Sequence, residues 1–552
     1  MNRLQCVLAL CLGLAPVGIG QVTPVEIKQP LALLQSVQHG MPVEAPPARL
    51  VDNWLNLRIN SDQSGQVQNE QQIVVNPQNP LNVVAVWRDF RLGYRRVGVG
   101  YSFDGGWTWH DDLFPQMVYP WQSDPALTYN SAGAMYVCIL SYDPVGEDGL
   151  YVSASTDGGV SWGPFYPAVN AAPNSFEDKE LIACDRTGSP YDGNLYVAWA
   201  KFTSTTRIHC VRSTSQGTSW EAPTQVSDLT GVQWPVPAVG PSGEVYIAWV
   251  KTGSPYGIRF DKSLNGGVTW GTDVAVQSTS FGSAYITPSL LIFCYPAMDV
   301  DITNGPNRGY IYIAYSDDIY GDTDLLFTRS ANGGDTWSRP IRINDDAVAN
   351  GCDQFHPWLV CDEQGVLHVI FYDRRNDPVQ NLYMDLYYSY SSDGGLSWSP
   401  NERITTVSSN PGLDSLDSGL IGEYNGLAVR DNVIHPIWTD TRNLNQDSYT
   451  AVWQNAGLQL HPQAGTPISG GLSASPRPFN STLQVSFELL KPGRVTLSVY
   501  DLAGRLVDIL AEGYFEPGAI NRTWSPKVGS GVYFLAAESP QGPAYQRILY
   551  LK

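Results

Sequence analysis

One short phrase recurs six times along the chain: a Ser, a turn rich in Asp or Asn and Gly, then Ser or Thr and Trp. It reads SFDGGWTW (102–109), STDGGVSW (155–162), STSQGTSW (213–220), SLNGGVTW (263–270), SANGGDTW (330–337) and SSDGGLSW (391–398). The closing tryptophans, Trp109, Trp162, Trp220, Trp270, Trp337 and Trp398, lie 53, 58, 50, 67 and 61 residues apart. That period fits four short strands with their turns, the unit of a β-propeller blade. Each copy follows a strand-like run such as VGVGYS (97–102) or DLYYSYS (385–391), and each precedes another, such as RPIRIN (339–344).

The phrase has a local physical logic. Its acidic or amide residue caps N–H groups of its own turn, the glycines accept positive φ, and the Trp packs back over the hairpin. Asp104, Asp157 and Asp393 hold the polar position, Asn265 and Asn332 substitute for it, and Ser215 is the weakest copy. All six are read as structural.

Composition agrees with many short strands and tight turns. Of 552 residues 43% are hydrophobic and only 16% charged, with 52 Gly and 39 Pro. The net charge of -20 argues against a nucleic-acid partner, because backbone binding needs a concentrated positive field. The N-terminus MNRLQCVLALCLGLAPVGIGQ reads as a secretory leader over 1–20, with an apolar stretch too short to span a membrane, so no transmembrane anchor is expected. Residues 21–50 form an N-terminal extension. The six later cysteines, Cys138, Cys184, Cys210, Cys294, Cys352 and Cys361, include no close CxxC pair. They read as small buried side chains, with one or two disulfides open.

Six copies of the phrase suggest six blades, yet the remaining strands suggest a seventh. After ERITTV (402–407), NGLAVR (425–430), VIHPIWTD (433–440) and DSYTAVW (447–453) match QFHPWLVCD (354–362), VLHVIFYD (366–373) and DLYYSYS. Their missing fourth strand is LNLRINSD (55–62), which echoes RPIRINDD (339–346). Pairing them closes the ring without an exposed edge. The expected fold is therefore all-β, a seven-bladed propeller over 51–456, with a six-bladed ring carrying an extra edge strand as the alternative. Residues 457–475, rich in Gly, Pro and Ser, read as a linker. Residues 476–552 alternate polar and apolar positions and predict a small antiparallel β-sandwich.

The repeated phrase resembles the Asp-box (BNR repeat) of bacterial sialidases and related propellers. That resemblance implies a turn between the third and fourth strands of each blade, away from the catalytic face. The C-terminal phrases PRPFN, VTLSVYDLAGRLV and SGVYFL resemble the immunoglobulin-like module shared by flagellar hook-cap proteins and type IX secretion sorting domains, which implies an immunoglobulin-like β-sandwich over 476–552. This second resemblance implies the secretion machinery as a partner, and a secreted or bacterial cell-surface protein.

In a propeller, the starts of the first strands and the loops from second to third strands share one face. These loops carry WRDFRLGYRR (87–96), FYDRRNDP (371–378) and WTDTRNLNQD (438–447), while SDPAL (123–127), EDKEL (177–181), QFHPW (354–358) and GEYNG (422–426) open first strands. The candidate rim holds Arg91, Asp124, Asp178, Glu180, Asp373, Arg375, Glu423, Tyr424, Asp440 and Arg442. One account pairs Asp373 with Arg375 and Asp440 with Arg442 to tie neighbouring loops together. The sialidase resemblance implies another. Arg91, Arg375 and Arg442 would bind a sugar carboxylate, Tyr424 would be the nucleophile, Asp124 the acid–base, and Glu180 the assisting carboxylate. Glu423 and Tyr424 are consecutive, so an extended strand would point them apart.

The functional expectation is a carbohydrate-recognition propeller acting on glycans or surface glycoconjugates. The alternatives are an exo-alpha-sialidase or other glycoside hydrolase acting on terminal acidic sugars, and a noncatalytic structural or adhesion propeller. Phe90, Tyr94 and Tyr320 are candidates to stack on sugar rings. No cofactor is required by this reading. The acidic runs SDDIYGDTD (316–324) and VDITNGPN (300–307) could hold structural calcium through oxygen ligands. His356, His368 and His435 lie in apolar surroundings without a zinc pattern, so core or hydrogen-bonding roles are expected.

Overall fold

The computed structural model describes residues 54–143, 147–170, 174–287, 290–413, 420–453, 472–475, 479–501, 506–529, 531–540 and 544–550. The expected leader (1–20), the extension (21–50) and most of 457–475 lie outside the described residues. The chain divides into two compact units at residues 455/456.

Among the described residues, the first unit contains seven four-stranded antiparallel sheets in a propeller-like arrangement. Six run in simple chain order over residues 68–113, 121–169, 176–225, 232–278, 297–342 and 354–403. Their second strands, including Asn79–Asp89, Leu195–Phe202 and Val245–Lys251, are near-continuous apolar runs, as burial on both faces demands. Trp87, Trp199 and Trp249 on these strands are fully buried. The first strands Gln68–Asn76, Trp121–Tyr129, Phe176–Cys184, Val232–Val239, Ala297–Val300 and Gln354–Cys361 pack each against the next. Gly426–Arg430 of the seventh sheet contacts both the last and the first of these, closing the circuit.

The seventh sheet joins the two ends of the unit. Trp54–Arg58 pairs with Asp447–Trp453, from Trp54 opposite Trp453 to Arg58 opposite Tyr449. The echo between the two RIN sequences has a shared bonding scheme. Asn60 donates to Asp447 at 2.9 Å and to Gln68 at 3.2 Å; Asn344 donates to Asp324 at 2.8 Å and to Gln354. Arg58 pairs with Asp447, and Arg342 pairs with Asp324. Each Asn thereby ties an outer strand to the third strand of its own sheet and to the first strand of the next.

The six repeated turns join third to fourth strands. In a four-stranded meander this end is opposite the starts of the first strands. In the first copy Gly106 N–H donates to Ser102 Oγ at 2.9 Å, Thr108 N–H to Asp104 Oδ1 at 2.9 Å, and the Trp109 indole to the Gly106 carbonyl at 2.9 Å. Asn265 and Asn332 accept the corresponding N–H at 3.0 Å, and Ser215 accepts it at 2.9 Å. Between the fourth and fifth sheets, Ser283–Ile286 and Leu290–Phe293 form an inserted two-stranded sheet.

The second unit is a β-sandwich of a three-stranded and a four-stranded sheet. Leu472–Ser475, at the end of the stretch expected to be linker, is a strand paired with Leu483–Leu489. In the latter, Leu483, Val485, Phe487 and Leu489 are buried and their neighbours are not, the alternation of a strand with one wet face. They pack with Val495, Leu497, Val499, Ile520, Trp524 and Leu535.

All six cysteines after the expected leader are free thiols, five of them buried. No helix among the described residues is long and apolar enough to cross a membrane.

Candidate functional site

The first strands share a distortion at their start. In five of the sheets the register slips by one residue, between Asn69 and Gln72, Ser123 and Ala126, Asp178 and Leu181, Gln233 and Val236, and Phe355 and Trp358. The extra residue in each bulge adopts a left-handed backbone: Glu70 (φ 57°), Asp124 (49°), Lys179 (52°), Trp234 (56°) and His356 (51°). Glu423 (49°), just before the first strand of the seventh sheet, does the same. Left-handed geometry costs a non-glycine residue roughly 1–2 kcal/mol, so six such residues at matching positions are a concentrated store of strain. Bulges re-aim side chains, and here they gather charged groups at one end of the innermost strands.

Arg88 is the hub of this group. It is 7% exposed and pairs with buried Glu70, approaches Glu423 at 3.7 Å, and donates to Asn69 at 2.9 Å. Glu70 also accepts from Asp124 N–H at 3.0 Å and Ser123 Oγ at 3.2 Å. Glu70, Asp124 and Glu423 bring one carboxylate oxygen each within 4.8 Å of one another. Burial pushes Glu70 well above the ordinary carboxylate range while Arg88 pulls it back. Burial likewise raises Asp178, with Asp124 and Glu423 adding to the effect. Asp178, Glu423 and Arg95 remain half-buried and form the reachable side of the group. Arg95 donates to the Tyr142 hydroxyl at 2.9 Å and faces the Phe90 ring.

Beside the charges stands an aromatic wall. Trp234 meets Phe293 of the inserted sheet at a centroid distance of 4.8 Å, and His356 stacks on Phe293 at 6.0 Å and on Tyr295 at 5.8 Å. The Lys179 ammonium lies 3.2 Å from the Tyr424 ring centroid. Burial lowers the pKa of Lys179 against the pull of Asp124 and Glu70. Burial raises that of Tyr424, with Glu70 and Asp124 reinforcing it, so the phenol stays neutral.

The residues expected from sequence fall into two groups. Asp124, Asp178, Glu423 and Tyr424 belong to this central cluster. Glu180 is fully buried nearby, but neither its carboxylate nor the Tyr424 hydroxyl has a hydrogen-bond partner among the described residues, and burial holds Glu180 well above the usual carboxylate range. Arg91, Arg375 and Arg442 are engaged elsewhere. Each pairs with the Asp two residues earlier: Arg91 with Asp89 at 2.8 Å, Arg375 with Asp373 at 2.7 Å, Arg442 with Asp440 at 2.8 Å. Each also reaches an outer strand, through Asp111, Asn401 and Asn56 respectively. Arg375 and Arg442 stack on Tyr387 and Tyr449. Burial raises Asp373 to about 6 despite Arg375.

Glu70, Arg88, Arg95 and Lys179 are site residues that the sequence reading passed over. Their signal was present: Arg88 and Arg95 lie inside WRDFRLGYRR, and Lys179 sits where other blades carry the residue before Pro in SDP, QWP and FHP. Phe90, expected to be exposed, is 6% exposed because Arg88 and Arg95 cover its ring, whereas Tyr94 and Tyr320 are exposed.

In the acidic runs considered for calcium one carboxylate oxygen is engaged by protein donors, while Asp317 Oδ2, Asp322 Oδ1 and Asp324 Oδ2 are buried with no hydrogen-bond partner among the described residues. Asp317 accepts from Ser280 and Asp318 N–H, Asp322 from Gly351 N–H, and Asp301 from Thr303. The group Glu70, Asp124 and Glu423 has Arg88 as its internal cation, which fits a divalent ion poorly.

No family model and no curated protein matches the sequence. Solved structures offer distant likenesses. A protein of unknown function from Dyadobacter fermentans is 16% identical with a TM-score of 0.40, covering 58% of this chain and 95% of that chain. The leech intramolecular trans-sialidase, complexed with 2,7-anhydro-Neu5Ac, is 12% identical with a TM-score of 0.43, covering 61% and 70%. Trypanosoma rangeli sialidase is 11% identical with a TM-score of 0.40, covering 90% and 90%.

Proposed function

We propose that this chain is a secreted or surface carbohydrate-recognition protein, a seven-bladed Asp-box propeller with an immunoglobulin-like C-terminal sorting or attachment domain. Its recognition face is the end of the propeller where the first strands start. The observation that carries this reading is the matched set of left-handed residues, Glu70, Asp124, Lys179 and Glu423, of which the three carboxylates gather at Arg88 and Lys179 packs on Tyr424 beside an aromatic wall. Strain of this kind collects at functional sites. Guanidinium donors beside carboxylate acceptors and aromatic faces suit a sugar that carries both hydroxyls and an acid group.

Recognition is favoured over turnover by the state of Tyr424. A phenol nucleophile needs a base within hydrogen-bond reach, and the Tyr424 hydroxyl has no hydrogen-bond partner among the described residues. Arg91, Arg375 and Arg442 retain the carboxylate-binding role only if a ligand displaces Asp89, Asp373 and Asp440 from them. Calcium is assigned a structural role alone, tested by whether added calcium raises the melting temperature.

The deciding experiment incubates the full chain with sialylated, uronic-acid and neutral glycans and measures both retained complexes and released sugar. Retention of acidic over neutral glycans, lost on Arg95→Ala with the melting temperature kept, supports the reading. Indifference to glycan charge sinks it. Release of sialic acid would transfer the assignment to hydrolysis.

A further inference from the structure

The innermost strands enclose an axial cavity of about 210 Å3 to which all seven sheets contribute. Its lining begins below the charged cluster and runs to Arg186 and Asp362, at the end where the repeated turns lie. Lys179 and Tyr424 meet across its other end, since their sheets, the third and the seventh, are not neighbours. Ala183, Trp358, Val360 and Ala428 line the cavity and are only half-buried although they sit on innermost strands. The cavity is thus bounded toward the recognition face by that contact, and half-buried Arg186 and Thr187 line its opposite end.

Arg186 stands at the opposite end of the cavity, where Asp299 acts on it electrostatically without closing a salt bridge. Its guanidinium lies 4.3 Å from the Tyr129 ring centroid and also meets the Tyr129 hydroxyl, and it forms no ion pair among the described residues. The carboxylates around it are committed elsewhere. Asp299 accepts from Val300 and Cys361 N–H, both at 2.8 Å; Asp185 accepts from Thr187 N–H at 2.9 Å; Asp362 accepts from Val366 N–H at 2.9 Å and from His368. A guanidinium carries five N–H donors in a planar fork that matches a carboxylate, more than the Tyr129 hydroxyl alone can accept.

We propose that the axial cavity binds a small organic carboxylate, with its acid group on Arg186 and its apolar body against Trp358 and the aliphatic wall. Size sets the class. A cavity of about 150 Å3 accepts benzene, so one of about 210 Å3 has room for a single ring or a short branched chain together with its carboxylate. This site is separate from the recognition face and does not depend on what that face binds.

The test uses the full chain and fluorine NMR, with fluorobenzoate as the probe and fluorobenzyl alcohol as its neutral counterpart. Saturable fluorobenzoate binding with Kd on the order of 1 mM or tighter is expected, with the alcohol at least about tenfold weaker. Arg186→Gln should abolish the preference for the acid. Ala183→Phe, which fills the channel from the same innermost strand three residues before Arg186 and leaves Arg186 in place, should abolish binding of both probes. If Arg186→Gln does not fold, the acid-to-alcohol ratio and Ala183→Phe decide. No saturable binding by the folded protein, equal binding of acid and alcohol, or binding unchanged in Ala183→Phe overturns the proposal.

Discussion

The Lys179 ammonium rests 3.2 Å from the ring centroid of Tyr424, joining the third sheet to the seventh across the axis of the propeller-like unit. A desolvated cation–π contact is worth about 2 kcal/mol. Lys179 also offsets the carboxylates of Asp124, Glu70, Glu180 and Glu423 around it. Lys179→Met should therefore cost roughly 2–4 kcal/mol. The loss should be greater at pH 7 than at pH 5, because the uncompensated carboxylates are more fully ionised at the higher pH. Urea unfolding at the two pH values measures this, and a loss independent of pH would contradict it.

The Arg88–Glu70 pair predicts strong coupling. Removing one partner of a buried pair leaves an uncompensated charge and costs about 3–5 kcal/mol. Arg88→Met alone should be that severe, and Glu70→Gln alone should also destabilise because Arg88 then relies on Glu423 at 3.7 Å. The double variant should lose clearly less than the sum. Additive losses in a double-mutant cycle would show that the two charges do not depend on each other.

These two pairs explain why the scaffold was more legible than the site. The repeated turn is written in eight consecutive residues, and its bonds run from Asp104 to Thr108 or from Ser102 to Gly106, so sequence alone carries the geometry. The closing strand was legible because Asn60 and Asn344 make the same bonds in the same local phrase. The charged cluster has no such local record. Glu70, Arg88, Asp124, Lys179 and Glu423 come from four sheets, and their meeting depends on a one-residue slip that sequence alternation does not announce. The recurring arginines drew attention because they repeat. They repeat because Asp89, Asp373 and Asp440 hold them to the loop, as in the tying account of the same residues.

His356 makes the protein acid-sensitive. Burial among Phe293, Tyr295 and Phe355 lowers its pKa to about 3, so the folded state keeps it neutral. The unfolded chain takes up a proton near the ordinary value of 6.5. Stability from this residue is thus full above pH 6.5 and falls as pH drops toward 3, by at most about 1.4 kcal/mol per unit. His356→Phe should show a shallower loss of melting temperature between pH 6 and 4 than the parent. Parallel pH curves would remove His356 as the cause.

The weakest copy of the repeated turn offers a gain. Asp393 accepts N–H bonds from Leu396 at 2.9 Å and Ser397 at 3.0 Å, whereas Ser215 accepts one at its side chain, from Ser219 at 2.9 Å. Gln216, at φ 56°, also stands where the other five copies carry Gly. Gln216→Gly should relieve roughly 1 kcal/mol of left-handed strain, partly offset by the greater freedom of Gly when unfolded. Ser215→Asp should add about 0.5–1 kcal/mol by capping the second N–H. The two gains differ in pH dependence. Burial tends to raise Asp393, but its Ser397 and Ser391 bonds hold it at about 2, below the ordinary 3.8. An Asp at 215 with the same bonds contributes fully above about pH 4 and loses its contribution as pH falls toward 2. Ser215→Asn and Gln216→Gly carry no titrating group and should keep their gains through that window. Thermal unfolding of the three variants at pH 7 and pH 3 separates the effects, and an Asp gain that persists undiminished at the lower pH would rule out capping by an ionised carboxylate.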